Sequence, residues 1–84
     1  MPVEFKRNVA FFHGQVGVDE AEVLLGWLQQ HPAAQADLAA CSHLHPANLQ
    51  VMMAAALRVK AWPADPVLRQ WLQGALTTQA NEKR

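Results

Sequence analysis

The spacing of apolar residues changes repeatedly along this chain, and this alternation constrains the fold more than any other feature. Short β-favouring runs at Val3–Phe5 and Val9–Phe12 flank a polar stretch, which predicts a hairpin. Helical spacing follows from about Ala21 to Gln30, and a strand-length run follows at Ala34–Ala40. Strands that alternate with helices predict βαβ packing around a sheet.

The second half of the chain continues this alternation. Pro46 suits the first turn of a helix, where its missing N–H is not needed, and Asp65–Pro66 opens the last helix in the same way. Between these helices, Val59–Trp62 is long enough for one short strand. We therefore predict an α/β fold, with a small mixed sheet of about four strands and about three helices on one face.

Two further expectations concern the first helix and the core. Asp19 and Glu22 have the spacing of a capping box at the start of a helix. Apolar side chains recur at helical spacing and are predicted to be buried in the core. The large ones among them are Trp27, Met52, Met53 and Trp71.

The chain of 84 residues is expected to form a single domain, residues 1–84, with a frayed tail at residues 76–84.

Composition argues against several classes of partner. The formal net charge is +0, so no general field attracts phosphate backbones, and nucleic acid is not an expected partner. No apolar run approaches the 18 or so residues of a spanning helix, so we expect no membrane insertion. Cys41 is the only cysteine, which favours a reducing compartment. We therefore expect a cytoplasmic protein, in a bacterium.

The reactive side chains are few. Adjacent residues on an extended segment face opposite ways, so Ser42 beside His43 does not predict a nucleophile with its base, and we expect no enzyme and no cofactor. Cys41, His43 and His45 alternate and would share one side of an extended chain, so a small metal-binding protein is one alternative. A structural subunit that homodimerises is another.

The segment 36–55, which reads ADLAACSHLHPANLQVMMAA, resembles the central signature of the STAS domain, the sulfate transporter and anti-sigma factor antagonist family. In that family a strand ending in a hydrophobic-Asp-Leu-Ser run leads through a loop to Asp-Ser-Ala-Gly-Leu and an apolar helix. Asp37 and Leu38 match the strand motif, and Ala47 and Leu49 match the helix. The resemblance spans about residues 9–76.

This resemblance implies a regulatory domain without catalytic activity that binds a partner protein, such as an anti-sigma-factor-like kinase, a transporter or a component of a signalling complex. The family's phosphorylated serine falls at Pro46, which has no hydroxyl, so the usual switch is absent and Ser42 is only a substitute phosphorylation site. We expect the partner to contact the loop and the start of the second helix, through Ser42, His43, His45, Pro46, Asn48 and Gln50.

Overall fold

The computed structural model describes residues 2–81, with side chains described as far as Leu76. Seven elements follow one another in the order that the sequence predicts. They are β1 (Val3–Lys6), β2 (Val9–Val16), α1 (Glu20–Gln30), β3 (Gln35–Leu44), α2 (Pro46–Ala54), β4 (Arg58–Ala61) and α3 (Pro66–Asn81). Helix α3 thus covers most of the segment expected to fray, and residues 82–84 lie outside the described residues.

The four strands form one mixed sheet in the order β1-β2-β3-β4. β1 pairs antiparallel with β2, whereas β2 with β3 and β3 with β4 are parallel. One face of the sheet is buried, with Phe12 and Leu38 in the core, while Glu4 and His13 lie exposed on the other face. All the helices therefore pack on one face, which confirms the predicted fold class.

β3 is longer than predicted and irregular. It continues past Ala40 because Cys41 and Leu44 pair with Gly14 and Val16 of β2. Two register shifts in this ladder each place an extra residue in β3. Its inward side chains there are Leu38, Cys41 and Leu44, three residues apart instead of two. Gly14 has a left-handed backbone (φ 60°) between the two shifts, where glycine is favoured.

All three helices begin close to where the sequence predicts, and two of the three predicted start signals are confirmed. Pro46 is the first residue of α2, and the Asp65 carboxylate accepts from the Val67 and Leu68 N–H groups at 2.8 and 3.1 Å. The capping box at α1 is wrong. Asp19 has a helical backbone, unlike a usual capping residue, and its side chain makes no capping hydrogen bond. Backbone bonds from Glu20 N–H to Gly17 C=O and from Ala21 N–H to Val18 C=O close the turn instead.

The core contains most of the predicted apolar residues. Met52 is fully buried, and Trp27 is half-buried and stacks on Phe5 of β1 with ring centroids 4.6 Å apart. Trp71 is an exception, since 42% of its surface is exposed at the side of α3. None of the three helices described here combines the length and the apolar character that crossing a membrane requires.

Candidate functional site

The predicted binding region lies where β3 ends and α2 begins, at the carboxyl end of the parallel strands. The chain turns there in one residue, His45, whose N–H donates to the Val16 carbonyl at the end of β2 (2.9 Å). The turn is therefore fixed to the neighbouring strand. Loops at this end of a parallel sheet are a common location for binding sites.

Four of the six predicted contact residues are exposed. Ser42 and His43 lie at the end of β3, and Pro46 and Gln50 lie on α2. His45 is half-buried between the two pairs. The exposed residues at this junction, Ser42, His43, Pro46 and Gln50, thus present a hydroxyl, an imidazole, a proline ring and an amide to solvent, and we call them the β3–α2 surface.

His45 caps helix α2 with its side chain. Its Nδ1 accepts the Ala47 N–H at 3.0 Å, so Nδ1 carries no proton in this arrangement. The His45 carbonyl accepts the N–H groups of Asn48 and Leu49 at 2.9 and 3.4 Å, and Pro46 has no N–H. The first turn of α2 therefore has no free backbone donor, so it lacks the usual means of binding a phosphate at a helix start.

Asn48 does not belong to the exposed surface, contrary to the sequence-based prediction. It is 0% exposed, and its side-chain amide donates to the Gly17 carbonyl in the loop after β2 at 2.7 Å. This bond ties α2 to the β2–α1 loop. Its Oδ1 is buried and has no hydrogen-bond partner. A protein partner cannot touch Asn48 without local unfolding, so its role is structural.

The three candidate metal ligands do not converge. Cys41 is buried on the core side of β3, whereas His43 is exposed, because the register shift between Cys41 and His43 breaks the alternation on which the metal hypothesis depended. Within residues 2–76, no three His, Cys, Asp or Glu side chains form a group that could hold a metal ion. This arrangement gives the metal-binding alternative no support.

Burial also determines the chemistry of the thiol. Burial raises the pKa of Cys41, and a backbone hydrogen bond of His43 lowers it only in part. The Sγ donates to the His43 carbonyl (3.5 Å), a bond that only the protonated thiol can make. The neutral thiol is therefore the favoured form, and a nucleophilic thiolate is disfavoured. Cys41 is best explained as a core residue.

One exposed apolar residue near this surface was not predicted. Val18 is 53% exposed and lies in the β2–α1 loop, next to Gly17, whose carbonyl bonds Asn48. The contact between Gly17 and Asn48 spans 31 residues, so no local pattern reveals it. Val18 adds an apolar contact to a region whose other exposed groups are mostly polar.

Comparisons with protein-family models, with curated proteins and with solved structures give no match to this chain.

Proposed function

We propose that the chain is a non-catalytic regulatory domain that binds a partner protein through the β3–α2 surface, as in an anti-sigma factor antagonist. The observation that carries this proposal is the β3–α2 junction itself. It presents Ser42, His43, Pro46 and Gln50 to solvent, while the groups that hold the turn in shape, His45 and Asn48, are engaged internally.

A pre-formed turn favours binding because little conformational freedom is lost when the partner docks. Three hydrogen bonds restrain this one: the backbone bond from His45 to Val16, the cap at Ala47, and the side-chain bond from Asn48 to Gly17. The proposed surface therefore has a fixed shape before binding, as a specific docking site requires.

The size of a typical interface indicates that neighbouring residues contribute as well. A standard complex buries ~800 Å² on each partner, about 15% of the 5272 Å² accessible surface of this chain. Four exposed side chains do not supply that area. Val18, at the adjacent loop, extends the surface and provides apolar contact.

The proposal differs from the usual mechanism of the resembled family in its regulation. Pro46 cannot be phosphorylated, and the first turn of α2 has no free N–H group to stabilise a phosphate. Binding would then be constitutive or controlled elsewhere. Ser42 is exposed at the end of β3 and is the one hydroxyl on the proposed surface.

The test is affinity capture of the tagged chain from cells that naturally produce it, with quantitative mass spectrometry. His43→Glu and Gln50→Lys change exposed side chains of the β3–α2 surface, and Gln29→Lys changes an exposed residue of α1 as a matched control. We expect one captured protein to fall at least tenfold with both surface variants and to persist with Gln29→Lys.

Urea unfolding of all three variants should stay within about 0.5 kcal/mol of the parent, because the changes are at exposed positions. The proposal would be contradicted if the amounts of the captured proteins changed as much with Gln29→Lys as with the surface variants. The absence of any protein that depends on His43 and Gln50 would contradict it as well.

A further inference from the structure

A cavity lies at the opposite end of the sheet from the β3–α2 surface. Its volume is about 320 Å³, and it lies where the turn after α1 and the turn after α2 meet the first residues of β3 and β4. The residues that line it are Pro32, Ala33, Ala34, Gln35, Ala56 and Arg58. Its volume is at the small end of the range for ligand pockets in proteins.

Two arginines mark this end as cationic. Arg58 lines the cavity, and Arg7 lies in the β1–β2 hairpin turn at the same end of the sheet, next to Asn8, whose carbonyl accepts the N–H of the lining residue Gln35 at 2.8 Å. Both arginines are exposed, and neither forms an ion pair within the part of the chain that the structure describes. No acidic residue is among those lining the cavity. The Arg58 guanidinium is therefore available to a ligand in the cavity, and the positive charge of Arg7 at the same end of the sheet is not neutralised by a described acid.

The backbone of Arg7 adds an independent observation. Arg7 has φ 54°, in the left-handed region, at a turn position that glycine or asparagine occupies with less strain. A strained arginine in place of a glycine is a reason to look for a function of its side chain.

We propose that this amino-end cavity binds a small oxyanion, a phosphate or carboxylate group of a metabolite. The Arg58 guanidinium would form a bidentate contact from the cavity wall, and Arg7 would contribute a second positive charge from the hairpin turn. The cavity admits a small ligand and its lining includes one amide side chain, Gln35, as a further donor. This site is separate from the β3–α2 surface and does not depend on the proposed protein partner.

Titration of ¹⁵N-labelled protein with inorganic phosphate, and separately with acetate, at constant ionic strength in sodium chloride tests the proposal. We expect saturable shifts at the backbone amides of Ala33, Gln35 and Arg58. A lower dissociation constant for phosphate than for acetate would assign a phosphate ligand. The reverse order would assign a carboxylate. Shifts that do not saturate, or that chloride reproduces, would overturn the site.

Variants locate the binding. Arg58→Gln and Arg7→Gly should each weaken the affinity at least fivefold, whereas Arg69→Gln, an exposed arginine in the first turn of α3, should leave it unchanged. Arg7→Gly removes the charge and relieves the left-handed backbone, so it should fold at least as stably as the parent. Retained affinity in both Arg58→Gln and Arg7→Gly, or an equal loss in Arg69→Gln, would refute the assignment.

Discussion

The two ends of the sheet use their polar side chains in opposite ways. At the carboxyl end, the His45 imidazole and the Asn48 amide form hydrogen bonds that hold the turns together. At the amino end, the turns are held by backbone bonds, such as Gln35 N–H to Asn8 C=O, and the arginines Arg7 and Arg58 make no ion pair with described residues.

This difference separates residues that maintain the fold from residues that are free to bind. A side chain that satisfies a buried backbone group is costly to replace, because the group left behind loses its partner. An exposed side chain without a partner costs little to replace. Substitutions at the carboxyl end should therefore change stability most at His45 and Asn48, although both were first predicted as contact residues.

The largest effect should come from Asn48→Asp. The carboxylate cannot donate to the Gly17 carbonyl, and a charge would be buried at a position that is 0% exposed. The favourable interaction of an acid with a helix start is typically worth about 0.3–1 kcal/mol, whereas an unpaired buried charge costs about 3 kcal/mol or more. We expect the free energy of unfolding to fall by about 2–3 kcal/mol in urea titrations.

Gln50→Glu is the matched control, because it makes the same change from amide to carboxylate on the same helix at an exposed position. Its unfolding free energy should remain within about 0.5 kcal/mol of the parent. Equal stabilities of Asn48→Asp and Gln50→Glu would show that Asn48 does not hold the carboxyl-end turns together.

A smaller effect should follow from His45→Ala. This change removes the acceptor of the Ala47 N–H, and losing a side-chain cap costs about 1 kcal/mol. His45→Asn restores a short acceptor at the cap position and should recover most of that loss. Thermal unfolding of both variants measures this, and equal destabilisation by Ala and Asn would exclude a capping role for the imidazole.

The sequence predicted the order and type of all seven elements, although not all of them from local signals. Ala34–Ala40 fits a helix as well as a strand by composition, and its position between two helices indicated the strand. Pro46 and Asp65 mark helix starts by their own chemistry, and the structure places both at helix starts. Between these helix starts the sequence predicted one short strand at Val59–Trp62, and β4 (Arg58–Ala61) has 4 residues.

The binding region was harder to predict because long-range pairing determines it. The shifts between β2 and β3 change which residues of 38–44 face inward, and strict alternation does not anticipate them. The burial of Asn48 depends on a carbonyl 31 residues earlier in the chain. Local spacing therefore located the junction correctly but not the burial of Asn48.

The turn after α2, which lines the amino-end cavity, allows a test with two opposite outcomes. The N–H groups of Ala56 and Leu57 bond the carbonyls of Met53 and Met52 at 3.1 and 3.0 Å, a Schellman ending, and Ala56 has φ 53°. Ala56→Gly should stabilise the protein by about 1 kcal/mol, whereas Ala54→Gly, within the helix, should destabilise it by about 1 kcal/mol. If urea titrations show that both variants change the free energy of unfolding in the same direction, strain at Ala56 is excluded.

The smallest effect concerns the thiol on the core side of β3. Burial raises the pKa of Cys41 above its ordinary value of 9.0, so the unfolded chain releases this proton at a lower pH than the folded protein does. The contribution to stability is therefore complete below about pH 9 and is lost as the pH rises through the folded-state pKa. Unfolding free energies measured from about pH 8 to about pH 10 should fall more steeply for the parent than for Cys41→Ala. The loss of the sulfur atom changes the free energy of unfolding by the same amount at every pH, so it does not affect the slope against pH. Equal slopes for the parent and Cys41→Ala would mean that the thiol is as well solvated in the folded protein as in the unfolded chain.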